Sequence, residues 1–535
     1  LGKIQPGKGE AMAILRGLFL ILLLSFYFVP SAWPSSSVNV PLDSRVYAAL
    51  EKLESYGLID SALAGTKPYS RLEAARLVGE AMNRWRQMAD QGKFSRFARY
   101  EMIPFLLQQL EEEFKGELIE RGDLVGTQPG TYWKFVDGIN LRYQYQSHDP
   151  VTRPQGGNPS THTVYPIYNN DGIVYRKYNN FTADLQGEIR LWNHLSLFYR
   201  PIVKAFEDED TKVDLRQGYG KLEAWNLELE VGRDQLWWGP GGHGSLLMSN
   251  NARSFDLVKL SNSYPYRIPL LGPLKFNLFV SQLDNEAPSI EDPTLFGMRF
   301  NLKPHPVIEL GVSYLSIFDG EGRKSLDFED YLSALFGSSN KSGTKAESNK
   351  QISIDLSLRW PNMDRVLPLA KSAKLYGEVG AEDHGALPDR RAYIVGLGFY
   401  DLFLLGRMDF KAEYACTSPT SNPIAWYVHP DYPPLFHERI FGHHVGSNAE
   451  DIFGRLTFSI LKNLVLGVDF DLETQGKREA QTTKSYQTGV DLDIYINRWV
   501  SVFGRYIFER FEDREQIAGG SKDHHLGAVE VRIKF

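Results

Sequence analysis

A single cysteine, Cys416, stands in 535 residues. No intrachain disulfide can brace the fold, and no cysteine follows the apolar N-terminal block to take a lipid. Long apolar runs are also missing. The hydrophobic share is 42%, yet beyond the N-terminus nothing reaches the length of a membrane-spanning helix, so any membrane residence must use strands. Basic excess is absent as well, with 59 Lys and Arg against 66 Asp and Glu and a formal net charge of −7. Residues 1–37 carry Lys3, Lys8 and Arg16 against Glu10, which leaves about −9 on the remainder. The basic stripe that nucleic-acid binding requires is missing, and no nucleic-acid partner is expected. Aromatics, by contrast, are plentiful: 27 Tyr and 31 Phe suit the interfacial girdles of an outer-membrane barrel and would equally suit a carbohydrate enzyme.

Residues 12–37 read as a secretory signal. Arg16 precedes an apolar block from Gly17 to Val29, followed by Pro30 and the small residues Ala32 and Ser35 to Ser37, with Met12 as the expected start. Export together with cysteine poverty suits a Gram-negative envelope protein. Residues 38–125 form a second region with helical spacing. Asp43 is placed to cap a helix through Val46, Ala49, Leu50 and Leu53, which Gly57 stops. Ser70 and Glu73 have the spacing of a capping box and open a second helix through Leu72, Ala75, Val78, Met82 and Trp85. A third is predicted near 102–119 on Ile103, Leu107, Leu110, Phe114 and Leu118. The run from Tyr47 to Ala81 also resembles an S-layer-homology module, although its spacing describes any capped helical hairpin.

From about Trp133 the period changes to two. Ile352, Ile354, Leu356, Leu358 and Trp360 alternate with Ser353, Asp355, Ser357 and Arg359, and the same pattern recurs from Ile139 to Gln146 and from Val490 to Ile496. A polar face bearing Asp and Arg in strand after strand is wrong for a sandwich core and right for a barrel with an aqueous lumen. About eighteen strands are predicted, near 133–147, 178–191, 194–203, 214–224, 227–236, 254–262, 272–283, 294–303, 306–318, 350–361, 372–382, 391–399, 404–415, 451–461, 464–474, 484–497, 499–511 and 523–535. Long connections follow odd-numbered strands and tight ones mostly follow even-numbered strands, the asymmetry of external loops over periplasmic turns. The expected fold is therefore an all-β transmembrane, antiparallel outer-membrane β-barrel over 126–535, with the helical module of 38–125 beneath it on the periplasmic side.

Two loop segments carry unusual chemistry. Trp237-Trp238-Gly239-Pro240-Gly241-Gly242-His243-Gly244-Ser245, continuing to Ser249-Asn250-Asn251-Ala252-Arg253, sets two indoles beside amides and a guanidinium. That combination fits a polyhydroxylated ligand. Its glycines are no phosphate cradle, because the Lys-Ser/Thr ending and an ensuing helix are absent. The second segment runs from Trp426-Tyr427-Val428-His429 through Tyr432 to Gly442-His443-His444-Val445-Gly446. Both segments, in this order, resemble the signature of the Wzi-type capsule-assembly proteins; Pro434 stands where that pattern has a glycine. The alternating end Val529 to Phe535 resembles the terminal signal read by the outer-membrane barrel assembly machinery.

The resemblance implies an outer-membrane, surface-exposed lectin of a Gram-negative bacterium. Such a protein binds capsular or other exported polysaccharide, sits in outer-membrane lipid and helps assemble a capsule without catalysis. Trp237 and Trp238 would present ring faces to sugar C–H surfaces, Arg253 and Arg233 would pair with acidic substituents, and Asn250, Asn251, Trp426 and Tyr427 complete the candidate set. An architectural role competes, in which the glycine run packs inside the lumen and the amides satisfy buried backbone. His429, His437, His443 and His444 match no standard zinc spacing, so neither metal nor cofactor is expected. A sugar-conducting porin is the alternative function. A glycan-modifying enzyme is a third, with paired carboxylates at Glu207 to Asp210, Glu382-Asp383 and Glu450-Asp451.

Overall fold

A computed structural model describes residues 35–90, 102–155, 158–164, 167–207, 209–284, 290–323, 326–336, 347–382, 391–419, 425–479, 482–512 and 521–535. The secretory segment expected over 12–37 lies almost wholly outside the described residues, as do Asp208 and Asp383 of the acidic pairs.

Eighteen antiparallel strands close into one barrel. They are β1 Tyr132–Gln146, β2 Tyr178–Leu191, β3 Leu195–Phe206, β4 Lys212–Ala224, β5 Leu227–Asp234, β6 Phe255–Asn262, β7 Gly272–Gln282, β8 Thr294–His305 and β9 Ile308–Phe318. The second half comprises β10 Ser348–Trp360, β11 Ala370–Glu382, β12 Arg391–Leu402, β13 Met408–Cys416, β14 Ala449–Leu461, β15 Leu464–Gln475, β16 Thr483–Tyr495, β17 Val500–Glu512 and β18 Ser521–Lys534. Each pairs with its sequence neighbours. The ladder from Gly138↔Lys534 to Gln146↔Leu526 joins β1 to β18, so no strand edge is left open.

The wall is inside out relative to a soluble protein. In β10, Ile352, Ile354, Leu356 and Leu358 are exposed on the outer face while Gln351, Ser353, Asp355 and Ser357 are buried within. Only a lipid exterior makes that pattern stable. At the rim of short turns the outward side carries exposed Trp133, Trp192, Trp225, Trp360 and Trp499; toward the other end it carries Tyr143, Tyr145, Tyr178 and Tyr506. These are two aromatic belts bounding an apolar band. The turn at Trp225-Asn226 has φ of 53° and 65°, the two left-handed residues of a type I′ hairpin, which matches the twist of β4 and β5.

The helical region comprises α1 Val46–Ser55, α2 Arg71–Asp90, α3 Met102–Glu113 and α4 Lys115–Glu120, around a core that includes Leu53, Leu77, Val78, Ile103, Phe114 and Leu118. Ser70 Oγ accepts the Glu73 N–H at 3.2 Å, whereas the Glu73 carboxylate turns to Arg76 instead of closing the predicted capping box. The expected cap at Asp43 is also corrected: α1 begins without a side-chain cap, and Asp43 instead accepts from Arg200 at 2.9 Å and Arg216 at 3.0 Å on the barrel wall.

These helices are tied to inward-facing wall residues. Lys303 reaches Glu54 at 2.7 Å, Lys411 reaches Glu51 at 2.5 Å, Lys52 reaches Asp409 at 2.5 Å, and Arg190 grips Glu120 through two bonds of 2.6 Å. Higher in the lumen Asn39 donates to Glu230 at 2.9 Å and Asp234 at 2.8 Å, and the buried Arg299 bridges Thr66 and Asp355. The reach of residues 35–40 and 64–67 along the inner wall turns the module into a plug instead of a separate domain hanging below.

The plug carries its own pH dependence. Burial opposes charge on Asp43, Glu51 and Glu113, but the neighbouring cations outweigh it: Arg200 and Arg216 for Asp43, Lys411 for Glu51, and Lys534 and Arg71 for Glu113, whose pKa falls to about 2. A depressed carboxyl stabilises above the ordinary value near 4.5 and loses that contribution as pH falls through the folded value. Protease protection of residues 38–90 and 102–125 is therefore expected to hold from neutrality to about pH 4.5 and to fail progressively toward pH 2. Release between pH 7 and 5 would contradict this account.

Candidate functional site

Long connections crowd one end of the barrel: 147–177, 235–254, 319–347 and 417–448. The inner wall there changes character. Phe255, Leu257, Phe279, Leu295, Leu315, Ile317, Ala392 and Ile394 face inward and form a buried cluster with Trp238, Leu246, Leu247, Met248, Trp426, Tyr427, Tyr432 and Phe441 from the loops. The loops fold down because the wall offers them an apolar seat.

Polar contacts then fix their path. Trp237 and Trp238 pair as a short strand with Lys67 and Thr66 of the plug, and Gly239 N–H donates to Gly65 O at 2.9 Å, so the two inserts meet in mid-lumen. Beyond this junction the chain passes three wall carboxylates. Glu378 accepts from Leu246 N at 3.1 Å, Glu413 from Gly242 N and Gly244 N at 3.0 Å each, and Glu382 from Tyr427 N at 3.0 Å. The glycine run is thus an anion-binding nest, and its anion is the protein's own Glu413. Glycine is required by close approach: a Cβ on Gly244 would sit 2.1 Å from the His443 ring, and one on Gly442 would sit 2.2 Å from Leu246 O.

Of the sequence-predicted site residues, Trp238, Trp426 and Tyr427 are 0% exposed and Trp237 is 6% exposed. Trp238 packs edge-on to Phe279 at 5.3 Å, and Trp426 stacks on Tyr427 at 4.8 Å over the space left by Gly380. Asn250 joins the first loop through Asp171 Oδ1 at 3.0 Å, while Asn251 donates to Ile440 O at 2.8 Å and accepts from Arg439 at 2.7 Å. These six therefore knit three loops into one platform.

Arg233 and Arg253 are placed differently, at the outer rim. Arg253 reaches Asp214 at 2.6 Å and His437 at 3.5 Å; Arg233 pairs with Asp256 at 2.5 Å; Lys204 adds a contact to Asp214 at 3.1 Å. Close by, Arg176 and Lys212 share Glu209 at 2.6 and 3.0 Å. Sequence reasoning missed Asp214, Asp256 and Lys204 and weighed His437 only as a metal donor, because these residues come from separate strands and loops that only the barrel register brings together. Among the other predicted histidines, His429 Nδ1 accepts the Tyr432 N–H at 3.0 Å and braces a turn, whereas His443 and His444 point inward.

The model of the family described as capsule assembly protein Wzi matches residues 153–526. The chain belongs to this family. A solved structure of Wzi from Escherichia coli, described as an outer membrane protein involved in group 1 capsule assembly and a carbohydrate-binding β-barrel, superposes with a TM-score of 0.68 at 16% identity, covering 94% of this chain and 100% of that one. The likeness is one of fold, helical plug included in the span. A relative from Klebsiella pneumoniae, an uncharacterised 55.8 kDa protein in the cps region, is 24% identical over 269 residues. That match spans about half of each chain, at 47% of both. The family and the lipid-facing wall together make this an outer-membrane protein.

Proposed function

We propose that this member of the Wzi family binds exported polysaccharide on the outer rim of its barrel and thereby helps hold a capsule at the cell surface. The observation carrying this reading is the two-sided filling of the lumen. A plug rising from the short-turn end bonds to a loop platform descending from the long-loop end, which leaves the outward polar rim as the surface on which a polymer would act. There, Arg233, Arg253, Lys204 and Lys212 alternate with Asp214, Glu209 and Asp256, an array of hydrogen-bonding groups suited to hydroxyls and uronates. Many weak contacts along a repeating polymer would set retention through avidity. The buried Trp237, Trp238, Trp426, Tyr427, Asn250 and Asn251 would serve by holding that rim in shape. The apolar outer band would take lipid as its neighbour.

The test is retention of surface polysaccharide in a deletion strain complemented with wild type or with Arg233→Ala/Arg253→Ala. Both side chains are partly covered at the rim and neither belongs to the buried core, so the barrel should still fold and reach the surface while bound polymer falls several-fold and shed polymer rises. Full retention with the double variant would remove these arginines from the site. Retention in the deletion strain itself would remove the function.

A further inference from the structure

Beneath the loop platform, His243, His443 and His444 meet Asp451 of β14 and Asp471 of β15, all five buried. His243 Nε2 lies 3.2 Å from Asp451 Oδ2 and 3.3 Å from Asp471 Oδ2, and His444 Nε2 lies 3.4 Å from Asp451 Oδ2. His243 Nε2, both ring nitrogens of His444 and both oxygens of Asp451 are fully enclosed, and none of their contacts has the alignment of a regular hydrogen bond. Leaving so many strong donors and acceptors unmatched in one enclosed space is costly.

We propose that His243, His444, Asp451 and Asp471 bind a divalent transition metal, most suitably zinc. Bonds of about 2.0–2.1 Å place adjacent donors of a zinc tetrahedron about 3.3 Å apart, the spacing of three of the six donor pairs in this set, and His243, His444 and Asp471 offer one donor each within 4.8 Å of one another. Charge supports the same conclusion. The neighbouring guanidinium groups are engaged elsewhere, Arg455 with Asp469 and Asp491 and Arg505 with Asp469, and among the described residues no Lys or Arg forms an ion pair with Asp451 or Asp471. Two buried carboxylates therefore need two positive charges, and one divalent ion with neutral imidazoles supplies them. Two imidazoles beside two carboxylates select zinc-like ions over magnesium or calcium, which prefer all-oxygen shells.

The surroundings are built as an outer shell. Tyr168 donates to Asp471 Oδ2 at 3.1 Å and stacks on the His444 ring at 3.8 Å, and Phe453 stacks on the His243 ring at 3.7 Å. His443 belongs to this shell and not to the ligand set. Its Nδ1 accepts the Val445 N–H at 3.3 Å, which leaves the proton on Nε2, the nitrogen facing Asp451 at 3.8 Å and Glu413 at 4.0 Å. The ion would pin the loops carrying Tyr168, His243 and His444 to two wall strands. No spacing in the sequence reveals the set, since its members come from two loops and two strands.

The test uses the full chain purified in detergent without a histidine tag, stripped with EDTA and dialysed against zinc chloride. Elemental analysis should find one zinc per chain, zinc should raise the thermal midpoint of loop unfolding, and cobalt(II) should give the visible d–d absorption of a low-coordinate site. All three should vanish in His243→Ala/His444→Ala. The milder His444→Gln should lower occupancy at limiting zinc by at least tenfold while the barrel stays intact. Zinc content near zero in the wild type, or equal in wild type and variants, overturns the proposal and leaves an imidazolium of His243 held between two aspartates.

Discussion

Glu413→Ala is expected to free the glycine-rich segment from the barrel wall at a cost of about 2–6 kcal/mol of local stability, with the barrel itself still closed. One carboxylate accepts from Gly242 N, Gly244 N and Tyr376 OH, the last at 2.8 Å. Removing it strands two buried donors, Gly244 N and Tyr376 OH, each costing about 1–3 kcal/mol when unsatisfied, while the exposed Gly242 N–H can turn to water. Water does not readily reach Gly244 N, because the His443 ring closes the space beside it. Glu413→Gln keeps one acceptor oxygen but points an amide N–H₂ at a neighbouring donor, so its effect should be intermediate. Limited proteolysis from outside intact cells reads the outcome: cleavage within 237–253 should rise sharply in the alanine variant, less in the glutamine variant. Wild-type resistance in both would mean that other contacts hold the segment.

The wall was legible in the sequence because a lipid-facing strand writes its orientation at every second residue. All eighteen strands lie within a few residues of their predicted ranges, the largest displacement being the start of β13 at Met408 instead of 404. The turns were legible for a similar reason, since Trp225-Asn226 stands between two alternating runs with nothing to spare. The contents of the lumen were not. A ligand-facing loop and a packed loop share one composition of aromatics, glycines and amides, and only the opposite wall decides between them. Part of that signal was nevertheless present. In the outer half of β9 the inward positions change from Ser313 to Leu315 and Ile317, and in β12 they are Ala392 and Ile394. An aqueous lumen has no use for inward Leu and Ile, so a break in polar alternation near one end of a strand marks the seat of an inserted loop.

The charges of the plug pose the converse problem. Glu51, Glu54 and Lys52 look like the solvated face of an amphipathic helix, yet they meet Lys411, Lys303 and Asp409 inside the wall. Sequence periodicity locates the polar face of a helix without saying whether water or a charged lumen covers it. A polar inner wall makes both answers compatible with one pattern. The closed β-ladder and the ion-pair ring together determine which is realised.

Trp426→Ala separates architecture from ligand contact at the loop platform. The side chain is 0% exposed, stacks on Tyr427 and fills the space above Gly380, so truncation leaves a cavity costing about 3–5 kcal/mol. Tyr427 would lose its stacking partner, and with it the fixed position of the hydroxyl that accepts the His443 N–H at 2.9 Å and donates to Leu246 O. Trp426→Ala is therefore expected to lower polysaccharide retention and protease resistance of 425–448 together, whereas Trp426→Phe, which keeps most of the packing, should recover both. The rim variant Arg233→Ala/Arg253→Ala should lower retention alone. If Trp426→Ala loses retention while the loops stay fully resistant, the indole meets the polymer directly, and the platform must open to expose a ring that is covered on every side in the closed arrangement. If it loses resistance and keeps retention, the polymer is held at the rim by residues that do not depend on the core beneath. The two readouts must fall together for the buried aromatics to be the frame of the site and not its face.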